Sequence, residues 1–260
     1  MKLFSRKYGT GFPIVILHGL YGSSDNWLTI GKTLSEKYSV YLIDQRNHGK
    51  SEHSNIHNYD AMSDDLFEFF NENKIEKAIV IGHSMGGKTA MFFAEKFPEM
   101  VKKLIVVDIA PFTYSAKFAT SHEHILNSLS KLNLEICETR IEIENQLSEY
   151  IEEESLRKFL LKNIGRNADN SFYWIMNLSV LKNSLPDILQ GLETQNKINV
   201  PTLFIKGEKS HHIEMSDFEK IKSIFTNAKF EIIKNAGHWL HAEQPEAFLN
   251  RLNTYIENEK

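Results

Sequence analysis

The stretch that constrains the fold most is an apolar, β-branched run that leads into a serine between glycines, Ile79-Val80-Ile81-Gly82-His83-Ser84-Met85-Gly86-Gly87. It matches the pattern G-x-S-x-G, in which a buried strand turns sharply into a helix with the serine hydroxyl exposed at the tip. Side chains at Gly82 and Gly86 would collide with the neighbouring strand and helix. The helix that follows points its amide groups and the positive end of its dipole at Ser84. The pattern therefore predicts a nucleophilic serine on a strand–turn–helix unit.

Other short apolar runs recur along the chain, as expected for strands that are buried on both faces. They lie at residues 14–17, 40–43, 78–81, 104–107, 202–205 and 230–233. Segments with helical spacing separate several of them. We expect a short edge strand or hairpin within residues 1–10. Strands that alternate with helices predict an α/β fold with a mostly parallel sheet and helices on both faces.

The pattern changes between residues 112 and 195, where no clear buried strand occurs. Helical segments are predicted instead, at about 125–132, 138–151, 156–164 and 173–181. We interpret residues 112–195 as an inserted helical cap. Residues 1–111 and 196–260 would then form the core.

Charge and cysteine usage narrow the class of protein. The 260 residues carry a formal net charge of -4, which gives no electrostatic argument for binding nucleic acid. No run reaches the length of a transmembrane helix, and the early apolar run is too short for a signal peptide. The single cysteine, Cys137, is typical of a reducing compartment. We expect a cytoplasmic monomer or homodimer that acts on a small molecule and has no membrane partner.

The residues whose side chains suit catalysis directly follow the predicted strands. Ligands of such sheets gather at the carboxyl ends of the strands. The residues found there are His18, Asp44, Ser84, Asp108, Ser210 and His238. A serine hydroxyl needs a base within hydrogen-bond reach, and that base needs an orienting partner. His238, in a turn after the last strand, is the predicted base, since it completes the chain order serine, acid, histidine.

Attack by a serine also creates an oxyanion, which needs hydrogen-bond donors already in place. The backbone N–H of Met85, directly after the serine, is one predicted donor. The second is the backbone N–H of Leu20, in the loop that follows residues 14–17. Both residues would act through the main chain, with their side chains against the acyl pocket.

Several other residues have simpler interpretations. No metal is expected, because none of the pairs of neighbouring histidines has a companion ligand set. A lysine inside a helix, as at Lys88, most often extends towards solvent or pairs with an acid. We expect Asp44 and Arg46 to hold their loop, and the nearby histidines to be solvated. These are His48, His53 and His57. Five residues have two interpretations, as the lining of an apolar pocket or as core packing. They are Phe112, Tyr114, Trp174, Met176 and Trp239.

Five motifs together resemble the YbfF-type esterases of the α/β-hydrolase superfamily over nearly the whole chain. They are HGLYGSSDNW, DQRNHGKS, GHSMGGK, VVDIAP and AGHWLHAE. The resemblance implies an α/β-hydrolase fold, a serine esterase or thioesterase active on short to medium acyl groups, acyl-CoA among the candidates, and no cofactor. A C–C bond hydrolase, a lactonase and a non-catalytic ligand-binding protein of this fold remain alternatives.

The acid departs from the commonest pattern of that superfamily. The loop that usually carries it reads Gly207-Glu208-Lys209-Ser210, with serine at the expected position. Serine accepts a hydrogen bond from imidazole but cannot stabilise imidazolium with a full charge. The resemblance places the acid at Asp108. We predict Asp108 as the orienting carboxylate and Ser210 as a candidate second partner of His238, with Glu208 as the competitor.

Overall fold

The computed structural model describes residues 1–258, except for the side chain of Lys117. A seven-stranded sheet lies at its centre. Its strands in chain order are β1 (Ser5–Tyr8), β2 (Pro13–Leu17), β3 (Ser39–Ile43), β4 (Ala78–His83), β5 (Val101–Val107), β8 (Thr202–Gly207) and β9 (Ala228–Ile233). Two further strands, β6 (Ile164–Arg166) and β7 (Phe172–Trp174), lie outside this sheet. Every predicted buried run is a strand, and residues 1–10 supply the expected edge strand.

The strands follow the spatial order β1-β3-β2-β4-β5-β8-β9. Only β1 is antiparallel to its neighbour, and every other pair is parallel. In register, Leu17 pairs with Gly82, and Val107 pairs with Ile205. The loops that follow β2, β4, β5 and β8 therefore leave the sheet at one edge, where the sequence concentrates its polar residues.

Helices cover both faces of the sheet, and the strand side chains alternate between two apolar layers. On one face, α2 (Tyr59–Glu72), α3 (Met85–Lys96) and α9 (Phe218–Ile224) pack on residues such as Val80 and Val106. On the other, α1 (Leu28–Leu34) and α11 (Pro245–Glu257) pack on residues such as Ile79 and Ile105. The short α10 (Leu240–Glu243) precedes α11. This architecture confirms the predicted α/β class.

The chain between β5 and β8 is mostly helical. Its helices are α4 (Ala116–Ser130), α5 (Arg140–Ser148), α6 (Glu154–Leu160), α7 (Leu178–Asn183) and α8 (Leu185–Leu189). Their apolar residues form a third core cluster, which also contacts Leu20, Tyr59 and Met85 of the sheet-bearing part.

Two of the predicted helical segments are wrong in part. β6 (Ile164–Arg166) and β7 (Phe172–Trp174) pair antiparallel as a separate two-stranded sheet. The intervening turn contains Asn170 at φ 73°, a left-handed conformation that asparagine tolerates. Short apolar runs do not distinguish a strand from a helix by periodicity alone. Within the described residues, no helix is long and apolar enough to cross a membrane.

Candidate active site

The turn between β4 and α3 has the geometry that its glycines predict. Ser84 lies at φ 52° and ψ −120°, a strained conformation for a residue with a side chain. A Cβ on Gly82 would lie 2.1 Å from the carbonyl oxygen of Gly86. A Cβ on Gly86 would lie 2.5 Å from the carbonyl oxygen of His18, in the loop after β2. Both positions therefore exclude a side chain.

A carboxylate and an imidazole meet beside this turn. The Nδ1–H of His238 donates to Oδ2 of Asp108 at 2.7 Å, which leaves Nε2 as the proton acceptor. Asp108 is fully buried and follows β5 directly, and its Oδ1 accepts from the backbone N–H of Gly207 at 2.9 Å. The predicted acid and the predicted base are therefore in direct contact.

A neighbouring histidine joins this pair to the serine turn. His83 Nε2 lies 2.9 Å from the carbonyl oxygen of His238, and the two rings lie 4.6 Å apart. His83 directly precedes Ser84, so this contact holds the histidine loop against the turn. His83 therefore packs against the base and orients its loop.

Ser210 has a different partner from the one predicted. Its hydroxyl donates to Oδ2 of Asp108, and its oxygen lies 3.3 Å from Nδ1 of His212. The described residues contain no hydrogen bond from Ser210 to His238. The reason is that Asp108 lies between them and offers the stronger, charged acceptor. Glu208 points elsewhere, with its carboxylate accepting from the backbone N–H of Asn235 at 2.9 Å.

Burial sets the protonation of the pair. It raises the pKa of the Asp108 carboxyl to about 6, and hydrogen bonds from Ser210 and Gly207 oppose that rise. Burial lowers the pKa of His238 below its ordinary value of 6.5. At neutral pH the arrangement is an ionised acid beside a neutral imidazole, which is able to take a proton.

The loop after β2, which carries Leu20, is held by neutral histidines. The His18 ring accepts from the backbone N–H of Gln45 at 3.0 Å, and the Gln45 side chain donates to the His18 carbonyl at 2.6 Å. His48 accepts from the backbone N–H of Tyr21 at 3.3 Å. Burial lowers the pKa of both histidines, so they stay neutral acceptors.

The N–H groups of Leu20 and Met85 fit the predicted role. The Leu20 N–H makes no hydrogen bond within residues 1–258. Met85 is the first residue of α3, where the N–H has no partner inside the helix. A developing oxyanion requires N–H donors that lie near Ser84 and have no other hydrogen-bond partner.

Some expectations for the polar loop after β3 are wrong. His48 and His57 are buried, whereas His53 is exposed as expected. Arg46 makes a buried bidentate pair with Asp65 at 2.6 and 2.8 Å. Composition indicated a solvated loop, but partners inside the fold satisfy most of its buried polar groups. Oε1 of Gln45 and Nε2 of His57 are buried without a hydrogen-bond partner among the described residues.

A small cavity opens beside Ser84, with a volume of about 30 Å³. Its lining side chains are mostly apolar and come from both the core and the segment between β5 and β8. They include Leu20, Tyr59, Met85, Ile109, Tyr114, Phe118, Ile188 and Leu189. Of the five candidate pocket-lining residues, Tyr114 lines this cavity. Trp174 and Met176 line a different surface depression. A volume of this size holds about one or two water molecules.

Lys88 is buried one turn into α3 and points into the same region. Its ammonium donates to the carbonyl oxygens of Phe112 at 3.1 Å, of Leu189 at 3.0 Å and of Gln190. Burial lowers its pKa to about 7. Neither expected environment, solvent or an acid, is found. The side chain joins α3 to both ends of the mostly helical segment.

One group of metal-type donors exists in the described part of the chain: Asp108, His212 and His238, whose ligand atoms lie within 4.8 Å of one another. His238 already bonds Asp108, whereas Nδ1 of His212 lies 3.6 Å from Asp108 Oδ2 and 3.3 Å from Ser210 Oγ. That no metal or cofactor is used remains a prediction. His212 is the site residue that sequence reasoning missed, since it entered only as one of a pair of neighbouring histidines.

Comparison with known proteins agrees with this fold. A family model described as the alpha/beta hydrolase fold matches residues 13–141. Esterase YbfF of Escherichia coli K12 is 33% identical, with 95% of this chain and 93% of the relative aligned. The sn-1-specific diacylglycerol lipase ABHD11 of Danio rerio is 36% identical, with 96% of this chain and 80% of the relative aligned. A solved structure described as a marine microorganism esterase has a TM-score of 0.96 at 45% identity, over 98% of this chain and 99% of that one.

The chain therefore belongs to the α/β-hydrolase family. Within that family it falls among the esterases and lipases, and its resemblance to YbfF extends over nearly its whole length.

Proposed function

We propose that this protein is a serine esterase in which Ser84, His238 and Asp108 form the catalytic triad. The observation that carries the proposal is the 2.7 Å contact of His238 with Asp108 beside a strained serine turn. That contact fixes the imidazole tautomer in which Nε2 lacks a proton. His83 keeps the base next to the turn through the His238 carbonyl.

The reaction follows from these positions. Ser84 Oγ attacks the ester carbonyl carbon while His238 Nε2 takes its proton, and Asp108 stabilises the imidazolium that forms. The backbone N–H groups of Leu20 and Met85 bind the oxyanion. His238 then gives its proton to the leaving alcohol oxygen. A water molecule, activated by His238, cleaves the acyl-enzyme and restores Ser84.

The proposed substrates are short- to medium-chain carboxylic esters, with acyl thioesters, including acyl-CoA, as the second class. The apolar lining beside Ser84 suits a hydrocarbon acyl group. It does not distinguish an alcohol leaving group from a thiol leaving group. The names of the relatives, an esterase and a diacylglycerol lipase, support oxygen esters first. The small molecule is the only partner proposed, and a cytoplasmic monomer or homodimer stays a prediction.

We also propose that residues 112–195 act as a cap over the site. α4 and α8 supply part of the lining, and Tyr59 of the core donates to the Ile188 carbonyl at 2.5 Å. The apolar cluster of this unit includes Leu20, Tyr59 and Met85 of the core, so the unit packs directly over the residues beside Ser84. Movement of this unit would open the small cavity to an acyl chain.

The test combines turnover with labelling of the nucleophile. A fluorophosphonate probe is expected to modify the wild-type protein at Ser84, as placed by peptide mass mapping. Ser84→Ala should lose the label and lower p-nitrophenyl butyrate hydrolysis on the order of 10³-fold or more. Ser23→Ala, at a serine of the loop after β2, is the control and should keep both. Hydrolysis retained by Ser84→Ala refutes the proposal. No turnover of any ester or thioester by a labelled protein points to the lactonase, C–C hydrolase or binding alternatives.

A further inference from the structure

A second histidine lies against the base. The rings of His212 and His238 are stacked, with centroids 3.7 Å apart and planes 19° apart. Nδ1 of His212 lies 3.3 Å from Ser210 Oγ and 3.6 Å from Asp108 Oδ2. Both imidazoles therefore direct the same nitrogen at one carboxylate.

The hydrogen-bond directions around Ser210 are determined by Asp108. An ionised carboxylate can only accept hydrogen bonds, so the Ser210 hydroxyl donates its hydrogen bond to Asp108. The Ser210 oxygen is then left as an acceptor, which both the backbone N–H of His212, at 3.2 Å, and its Nδ1–H can satisfy. This order favours the same tautomer in His212 as in His238.

His212 also contacts the proposed cap. The Phe118 ring of α4 lies 5.1 Å away, and the Tyr114 ring lies 5.9 Å away in an edge-on arrangement. The Tyr114 hydroxyl donates to the His212 carbonyl at 2.7 Å and accepts from the Ala110 N–H at 2.9 Å. His212 is thus enclosed between the base and the first residues of the mostly helical segment.

We infer that His212 is a positioning residue for the triad. Its ring restricts His238 to the orientation that keeps Nδ1 on Asp108, and its Nδ1–H keeps the Ser210 proton directed at Asp108. Through Phe118 and Tyr114 it also makes the orientation of the base depend on the position of the cap. This inference rests on the proposed function, because it takes His238 as the base.

The inference also has a chemical consequence during turnover. When His238 takes the serine proton it becomes a cation, and a neutral aromatic ring lies over one face of it. A ring face stabilises a cation by its quadrupole. Burial lowers the pKa of His212 to about 3, so this ring stays neutral beside the imidazolium.

Three variants separate the ring from its nitrogen. His212→Phe keeps a stacked ring without Nδ1, whereas His212→Asn keeps a polar group without the ring. His211→Asn is the matched control, because the neighbouring His211 side chain is 84% exposed and bonds Glu214 instead. We expect His212→Asn to lower kcat about 10-fold or more with KM little changed. His212→Phe should recover most of that loss, and the control should match the wild type.

A second measurement does not depend on turnover. The Nδ1–H of His238 in its short bond to Asp108 should give a low-field proton NMR signal in the wild type. That signal should weaken or shift in His212→Asn and persist in His211→Asn. Two results overturn the inference: an unchanged kcat in folded His212→Asn, or an unchanged low-field signal. A failure of the proposed function is recognised separately, by hydrolysis that survives Ser84→Ala.

Discussion

Asp108 and His238 lie 130 residues apart in the chain, yet 2.7 Å separates the carboxylate oxygen from the imidazole nitrogen. β5 and β9 bring them together, and β8 lies between those two strands. The intervening strand contributes the Gly207 N–H to the same carboxylate. The strand next to the histidine thus supports the acid rather than supplying it.

The identity of the acid can be tested by two isosteric amides. Asp108→Asn should preserve the fold but reverse the tautomer preference of His238, which lowers kcat on the order of 10⁴-fold. Glu208→Gln should change it little, because that carboxylate bonds the Asn235 backbone. Steady-state kinetics on one ester under identical conditions provide the comparison. A near-normal rate in the first variant with collapse in the second would assign the role to Glu208.

The pH profile should report the buried acid. Asp108 stabilises the imidazolium of His238 fully only when its carboxyl is ionised, and burial raises the pKa of that carboxyl to about 6. We therefore expect kcat/KM to fall as the pH drops below about 6, since the carboxyl then gains a proton. Ser210→Ala removes a hydrogen bond that lowers this pKa, so its acid limb should move to higher pH. A wild-type profile that stays flat through this range, or an unmoved limb in the variant, contradicts the assignment.

Lys88 should stabilise the contact between core and cap. Lys88→Met removes the shared donor of three carbonyl oxygens, of which only that of Leu189 keeps another donor within the described residues, the Tyr114 N–H. We therefore expect a loss of about 1–3 kcal/mol in the free energy of unfolding. Urea denaturation measures this, and limited proteolysis should show faster cleavage within residues 112–195. Lys96→Met is the control on the same helix, because that side chain is 44% exposed. Equal stability of the two variants would count against the contact.

The lining of the cavity should set the preferred acyl length. Ile188→Ala enlarges the space beside Ser84, so longer p-nitrophenyl esters should gain in kcat/KM relative to shorter ones. Each extra methylene that becomes buried contributes about 0.8 kcal/mol, or roughly fourfold. Ile136→Ala serves as control, since Ile136 is 70% exposed on the same segment. An unchanged chain-length profile would remove Ile188 from the acyl pocket.

Local sequence was sufficient for the features that depend on local geometry. Gly82 is required by the backbone of Gly86 in the same turn, whereas Gly86 is required by the His18 carbonyl of a neighbouring loop. Each parallel strand of the large sheet is visible as its own apolar run. The contact of Asp108 with His238 was also predictable, because parallel strands deliver their following loops to one edge. The hydrogen-bond partner of Ser210 was not predictable, because the sequence places both Asp108 and His238 at the same end of the sheet as Ser210.

What only the tertiary structure decided involves groups that are distant in the chain. The buried state of His48, the three carbonyls around Lys88 and the stacking of His212 on His238 all depend on which segment covers which. From sequence alone, a polar residue is predicted to be solvated. Its burial costs little free energy only when another segment supplies its hydrogen-bond partner. The sequence by itself therefore determined the sheet and the residues proposed to react, whereas the fold determined the partners of Ser210, Lys88 and His212.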